Sequence, residues 1–331
     1  MKVISKSMSR FLIPTICLLA LSFFRVDLQA EELRLVGVIG KASHQALAPR
    51  LESLKQGMME YGYIEGKNVN FEYRVADGNY DLLPGLVNEL KELDVDVIVA
   101  AGCPAAEAAM AVADSIPVVV YTTNPVATGL VKSFARPGGN ITGMTLMTGS
   151  EFHSKRLELL KLINPSASLI GVLWNPKIKS HQLSLKQITN TATDMGLSIL
   201  PLEAETQDDI DRAFTTMSSE NPDALINFGD TIFTAYRKQI ADYAIANQLP
   251  TNFNHAGFIK AGILMSYGPD PVILFNRLGN YVGKILQGAK PEDLPVERPS
   301  EFDLVLNLKT AEKINITVPP DVLLQATNII K

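Results

Sequence analysis

Cys103, Asn124 and Asp230 are the residues whose types and neighbours best suit them to meet a small molecule. Cys103 and Asn124 each precede a proline, and Asp230 precedes a strongly helical pattern. A small polar residue followed by proline marks a helix start. Helix starts present unpaired N–H groups, so the chemistry on offer is hydrogen bonding to a ligand rather than bond breaking. Catalytic patterns are missing: no Gly-x-Ser-x-Gly elbow occurs, and Gly62–Lys67 is one residue too short between its glycines for a phosphate loop and runs on into Asn68. The four histidines, His44, His153, His181 and His255, have neither metal-ligand spacing nor a cysteine partner pattern, so no metal and no cofactor is expected. A nucleophile would have to be Cys103, which makes an enzyme using that thiol a competing reading.

The elements that must position these residues follow from the apolar pattern. Short β-branched runs alternate with longer amphipathic stretches from Leu33 onward, as βαβ units require. The first predicted strands are Leu33–Ile39, Asn68–Tyr73, Val95–Ala101, Pro117–Tyr121 and Ile141–Leu146; a second set is Leu169–Trp174, Leu197–Pro201, Ala224–Phe228 and Pro250–Phe253. Helices are predicted over Ala46–Tyr61, Tyr80–Leu93, Ala105–Ser115, Ser154–Ile163, Ser184–Met195, Gln207–Ser218 and Thr231–Gln248 from apolar residues three and four apart. A strand Gly262–Tyr267, a helix from Pro271 to Gln287, and a final strand and helix remain after two complete halves. They are placed most economically by returning the chain to the first half and back, so that several crossings form a hinge. The predicted fold is α/β: two doubly wound parallel-sheet lobes joined by multiple crossover strands. Residues 31–148 plus 268–295 are assigned to the N-terminal lobe and 149–267 plus 296–331 to the C-terminal lobe.

Residues 1–30 read as a signal peptide, because Lys2, Lys6 and Arg10 precede an apolar run from Phe11 to Phe24 and Ala30 closes the segment. That run of about fourteen residues is short of a membrane span. Cys17 lacks the small residue before it that lipid attachment would want. The expectation is a free periplasmic protein cleaved near Ala30. Removing the segment leaves 26 Lys and Arg against 34 Asp and Glu. An acidic balance argues against nucleic acid, whose phosphates need clustered positive charge. Only Cys103 of the two cysteines survives, so no internal disulfide is possible. Nearly half the composition is apolar, and the roughly 300 remaining residues suffice for two domains.

In open parallel sheets ligands bind beyond the carboxyl ends of the strands. Four corners there matter most: Gly40–His44, Ala101–Pro104, Thr122–Pro125 and Gly229–Thr231. From them come the candidate ligand contacts Ser43, His44, Gly102, Cys103, Thr123, Asn124 and Asp230. Capping explains Asn124 and Asp230 equally well by residue type; their shared sheet edge favours a ligand. Trp174 ends a strand before Asn175-Pro176, so it either stacks on a flat ligand, with Asn175 fixing a polar group, or packs in the core. Tyr267 and Asp270 follow the last strand before the chain crosses over and are hinge residues, contacts or both. His255 lies in the preceding polar loop.

The same segments carry a family resemblance over nearly all of Leu33–Lys331. Tyr61–Val69, Asn124–Leu130 with Ala135–Gly143, Met265–Gly268 and Leu306–Ala311 occur in the order seen in the ABC transporter substrate-binding proteins that include the tryptophan- and tyrosine-type binding proteins, of type I periplasmic-binding fold. The resemblance implies a ligand in an interlobe cleft, an amino-acid-like solute, and an ABC permease with its ATPase in the inner membrane as partners to a monomer. Where this chain has Cys103 the family often has Thr, and where it has Asn124-Pro125 the family often has Asp-Pro, which removes a carboxylate that would meet a ligand ammonium. Gly138-Gly139-Asn140 reads as a tight turn needing positive φ. A sensory module that presents its closed form to a membrane receptor is the alternative reading of the same features.

Overall fold

Uninterrupted β-branched runs are buried on both sides of the pleat, which is why they assemble into parallel sheets covered by helices on both faces. The computed structural model describes residues 33–42, 44–146 and 150–331; the predicted signal segment lies outside them. β1 (Arg34–Gly40), β2 (Val69–Val75), β3 (Val97–Ala101), β4 (Val118–Thr122) and β5 (Ile141–Thr145) form a five-stranded sheet in the order β2-β1-β3-β4-β5. Every pairing in it is parallel. The alternation of two sorts its side chains. Val36, Val38, Val97, Val99 and Val119 face α1 (His44–Met59), while Ile98, Ala100, Val118 and Val120 face α2 (Leu83–Glu92) and α3 (Cys103–Ala109).

The second sheet has seven strands in the order β12-β11-β10-β9-β8-β6-β7. They are β6 (Leu169–Trp174), β7 (Ser198–Glu203), β8 (Ala224–Asn227), β9 (Thr251–Phe253), β10 (Met265–Gly268), β11 (Asp303–Asn307) and β12 (Asn328–Ile330). α4 (Ser150–Ile163) and α5 (Lys179–Asp194) cover one face with the carboxyl-terminal helices α10 (Leu308–Lys313) and α11 (Pro320–Gln325). α6 (Gln207–Glu220), α7 (Thr231–Ala235) and α8 (Arg237–Ala246) cover the other.

After β10 the chain leaves the second sheet, and α9 (Pro271–Leu286) lies along α1, its Leu274, Phe275 and Leu278 joining the core of the first sheet. Glu297 then bridges to Met144 of β5 before β11 re-enters the second sheet. Because it arrives from the opposite side, β11 pairs antiparallel with β10, an exception to the all-parallel expectation. β12 was not foreseen: three residues are too few to show a period. The predicted helix Thr231–Gln248 is broken at Tyr236, and Ala105–Ser115 gives way after Ala109 to a single 3-10 turn, Met110–Val112. Gly138 adopts a φ of 74°, the positive value that a tight turn needs.

Arg156 of α4 fixes the ends of the central strands. Fully buried, it donates to the carbonyl of Asn227 at 2.8 Å and to that of Asn252, tying β8 to β9 where both strands stop. Burial alone pushes its pKa down to about 9. The loops that follow those two strands therefore leave the sheet from fixed points.

Candidate functional site

Strand ends from both sheets converge on one cleft enclosing about 1030 Å³ of space, its open mouth included. Lys41 and Ala42 follow β1, Gly102 and Cys103 follow β3, and Thr123 follows β4; from the second lobe come Gly229 and Asp230 after β8, Asn254 and His255 after β9, and Pro269 after β10. Helix starts and strand ends thus face one another across the gap, where backbone donors and side chains can surround a small molecule.

Asp230 is the hub of this cleft. Its Oδ1 accepts from Lys41 Nζ at 3.1 Å and from the Tyr80 hydroxyl at 2.8 Å, both of the first lobe, and caps α7 through the Ile232 N–H at 3.3 Å. Its Oδ2 accepts from Asn175 Nδ2 at 2.7 Å. Lys41 Nζ also lies 3.6 Å from the centre of the Tyr80 ring, a cation–π contact. Burial by itself would raise the Asp230 carboxyl, but Lys41, His181, Asn175 and Tyr80 outweigh it and hold the pKa below its ordinary value. Lys41 is drawn down by burial against the pull of Asp230, and Tyr80 is driven up by burial and by that carboxylate.

His181 orients the same corner. Its Nδ1 accepts the Asn175 N–H at 3.1 Å, so the proton sits on Nε2, which faces the Gly229 carbonyl at 3.3 Å. Desolvation holds its pKa near 4. A neutral buried imidazole must take up a proton on unfolding as pH falls below the ordinary value of 6.5. Stability is therefore complete above that pH and lost as pH drops toward 4. His181 alone is expected to cost about 2 kcal/mol between pH 7 and pH 5. Urea unfolding at the two pH values should show it, and His181→Gln should reduce the difference by that amount, with His153 and His255 accounting for the remainder.

Two further contacts join the lobes. The Ser180 hydroxyl donates to Cys103 Sγ at 3.1 Å, and Lys179 Nζ donates to the Thr128 carbonyl at 3.2 Å. Cys103 is buried. Its reaction with a thiol reagent is therefore expected to be at least tenfold slower than that of an exposed cysteine and to quicken in Ser180→Ala, as followed by mass spectrometry.

The structure brings Gly102, Cys103, Thr123, Asp230 and His255 together around the cleft. Ser43 lies outside the described residues, as does the side chain of His44, the first residue of α1. Asn175 is fully buried behind Asp230 and acts through it. Asn124 does not line the cleft and starts no helix. It takes a φ of 51°, and its carbonyl accepts the Thr128 N–H at 3.0 Å to close a turn. Trp174 packs in the core with Ile170, Val172 and Ile188, so the stacking reading is corrected to the packing one. Tyr267 stacks on Phe152 and Phe302, and Asp270 caps α9 through the Val272 N–H at 2.8 Å; neither lines the cleft, although Pro269 and Pro271 do. Lys41, Arg50, Tyr80 and His181 were missed. Lys41 lay within a corner already singled out, whereas no local pattern marks Tyr80 or Arg50.

The family model for ABC transporter substrate-binding proteins matches residues 35–330. This chain belongs to that family. Substrate-binding proteins take up small-molecule ligands and work with an ABC permease; they are not enzymes, so the Cys103 catalytic reading is set aside. The fold is that of the type I periplasmic binding proteins. A conserved domain protein from Vibrio cholerae O1 biovar eltor is 28% identical with a TM-score of 0.84, covering 90% of this chain and 100% of that one. An ABC domain from Streptococcus pneumonia in complex with L-Trp is 25% identical, with the same TM-score of 0.84 and coverage of 90% and 100%. The tyrosine-binding protein of Clostridioides difficile (strain R20291) is 23% identical over 282 residues, which is 85% of this chain and 81% of that protein. Among the described residues of this substrate-binding protein, no helix is long and apolar enough to cross a membrane, and no group of His, Cys, Asp and Glu is placed to hold a metal ion.

Proposed function

We propose that this protein is the solute-binding component of an ABC importer and captures a small organic molecule, an aromatic amino acid foremost, between its lobes. The supporting observation is the set of bonds across the cleft: Lys41 and Tyr80 of one lobe meet Asp230 of the other at the point where strand ends from both sheets converge. A ligand held there touches both lobes and favours closure by its differential affinity for closed over open. Relatives that bind tryptophan and tyrosine support the ligand class, and Tyr80, Tyr121 and Ile178 offer walls that suit a flat side chain.

The closed form is the one presented to a permease with its ATPase in the inner membrane. The protein acts as a monomer in the periplasm after cleavage near Ala30. Its lobes are 31–148 plus 268–295 and 149–267 plus 296–331, a division supported by α9 packing on α1 and by β11 pairing with β10, except that Val296 and Glu297 still pack and pair with the first lobe. Thermal unfolding with a panel of amino acids, sugars, nucleosides and aromatic acids tests the reading. At a ligand concentration of about a hundred times Kd, an aromatic amino acid should raise Tm by about 5 °C or more. A panel in which only sugars or nucleosides shift Tm would refute the ligand class.

A further inference from the structure

We propose that Arg50 reads the ligand's carboxylate and that the cleft does not require an ammonium group, so that aromatic carboxylic acids lacking the amino group bind alongside the amino acids. The proposal rests on the reading of the cleft as an aromatic solute site and narrows what that site recognises.

Among the described lining residues, Lys41, Asp230 and Arg50 carry charge at neutral pH, since burial keeps both lining histidines neutral. Lys41 and Asp230 cancel each other at 3.1 Å. Asp230 offers little more: its side chain is 1% exposed, Oδ1 already accepts from Lys41 and Tyr80, and Oδ2 from Asn175. With both oxygens engaged and almost no exposed surface, that carboxylate leaves little for a ligand ammonium to reach. Arg50 is different. It lies on α1, lines the cleft, and has no ion-pair partner among the described residues. Asp270, which follows the lining residue Pro269, spends Oδ1 on the Val272 N–H and forms no salt bridge to Arg50.

Among the described residues the cleft thus carries one guanidinium without an ion-pair partner, close enough to Tyr121 to act on its hydroxyl, in a lining that also includes Leu47 and Leu146. A guanidinium at the edge of apolar surroundings matches a carboxylate in charge and in its paired donors. The same unpaired positive charge repels an ammonium that brings no carboxylate with it.

Calorimetric titration of the purified protein decides the matter, with L-tyrosine and L-tryptophan, their desamino acids 3-(4-hydroxyphenyl)propanoate and 3-(indol-3-yl)propanoate, and the amines tyramine and tryptamine. The desamino acids should bind within about tenfold of the amino acids, and the amines at least about a hundredfold more weakly. Arg50→Gln should weaken the acids roughly tenfold to a hundredfold, with partial recovery in Arg50→Lys and no change in the unfolding midpoint. Amino acids that bind while their desamino acids do not would overturn the proposal and leave the aromatic amino-acid reading standing. So would amines that bind as tightly as acids, or acid affinity unchanged in Arg50→Gln. Binding of none of the compounds would overturn both.

Discussion

Asp230→Ala should weaken ligand binding a hundredfold or more while leaving each lobe folded. In this structure Lys41 is 8% exposed at its side chain and has Asp230 as its ion-pair partner. Removing the carboxylate strands that ammonium, and breaking a buried pair by deleting one member costs about 3–5 kcal/mol. The penalty applies only where the lobes meet, because Lys41 regains water when they part. It therefore falls on closure, and the ligand must supply it. Asn175 and Tyr80 lose an acceptor at the same time. Replacing both charges, in Lys41→Met with Asp230→Leu, should restore much of the affinity, since an apolar pair of similar size removes the stranded charge along with its partner. Titration of the three proteins, with small-angle scattering to follow closure, gives the comparison. Equal affinity of Asp230→Ala and wild type would remove this residue from the lobe contact.

Strands and corners were legible because they depend on local pattern. Burial on both faces leaves continuous runs such as Val97–Ala101 and Val118–Thr122, and the turn residues after them mark where loops reach the cleft. Every singled-out corner contributes lining residues. Trp174 was also decidable: Ile170, Val172 and Trp174 share a face by the alternation of two, and that face is the one packed against α4 and α5. The pairings that make the site were not legible. Lys41 and Asp230 are 189 residues apart, and Tyr80 reaches the same carboxylate across 150. Neither contact leaves a period or a spacing in the chain. Asn124 misled because a polar residue before proline signals a helix start and a turn alike, and only its φ of 51° separates the two.

The docking of α9 on α1 depends on close approaches of the two backbones at Gly57 and Gly279, and a single methyl group tests it. A Cβ on Gly279 of α9 would lie 2.0 Å from the Leu54 carbonyl oxygen and 3.0 Å from the Gly57 Cα of α1. A Cβ on Gly57 would meet the Asn276 carbonyl oxygen at 2.0 Å in return. These obstacles are backbone atoms, so no rotamer change relieves them, and α9 must lift away from α1. That separation opens the core in which Phe275 and Leu278 of α9 pack with Leu51 and Leu54, and it loosens the segment through which the chain returns to the first lobe. Gly279→Ala is expected to destabilise the protein by about 3 kcal/mol, at the upper end for overpacking. Gly85 supplies the opposite sign from the same change. It is exposed on α2, has ordinary helical φ, and a Cβ there meets nothing within 4 Å. Gly85→Ala should stabilise by about 0.5–1 kcal/mol, because alanine loses less backbone freedom on entering a helix. Thermal unfolding of the two variants beside wild type should place Gly279→Ala well below it and Gly85→Ala slightly above. If Gly279→Ala melts with wild type, α9 does not dock on α1 through this glycine contact, and the return crossing must be held by other packing.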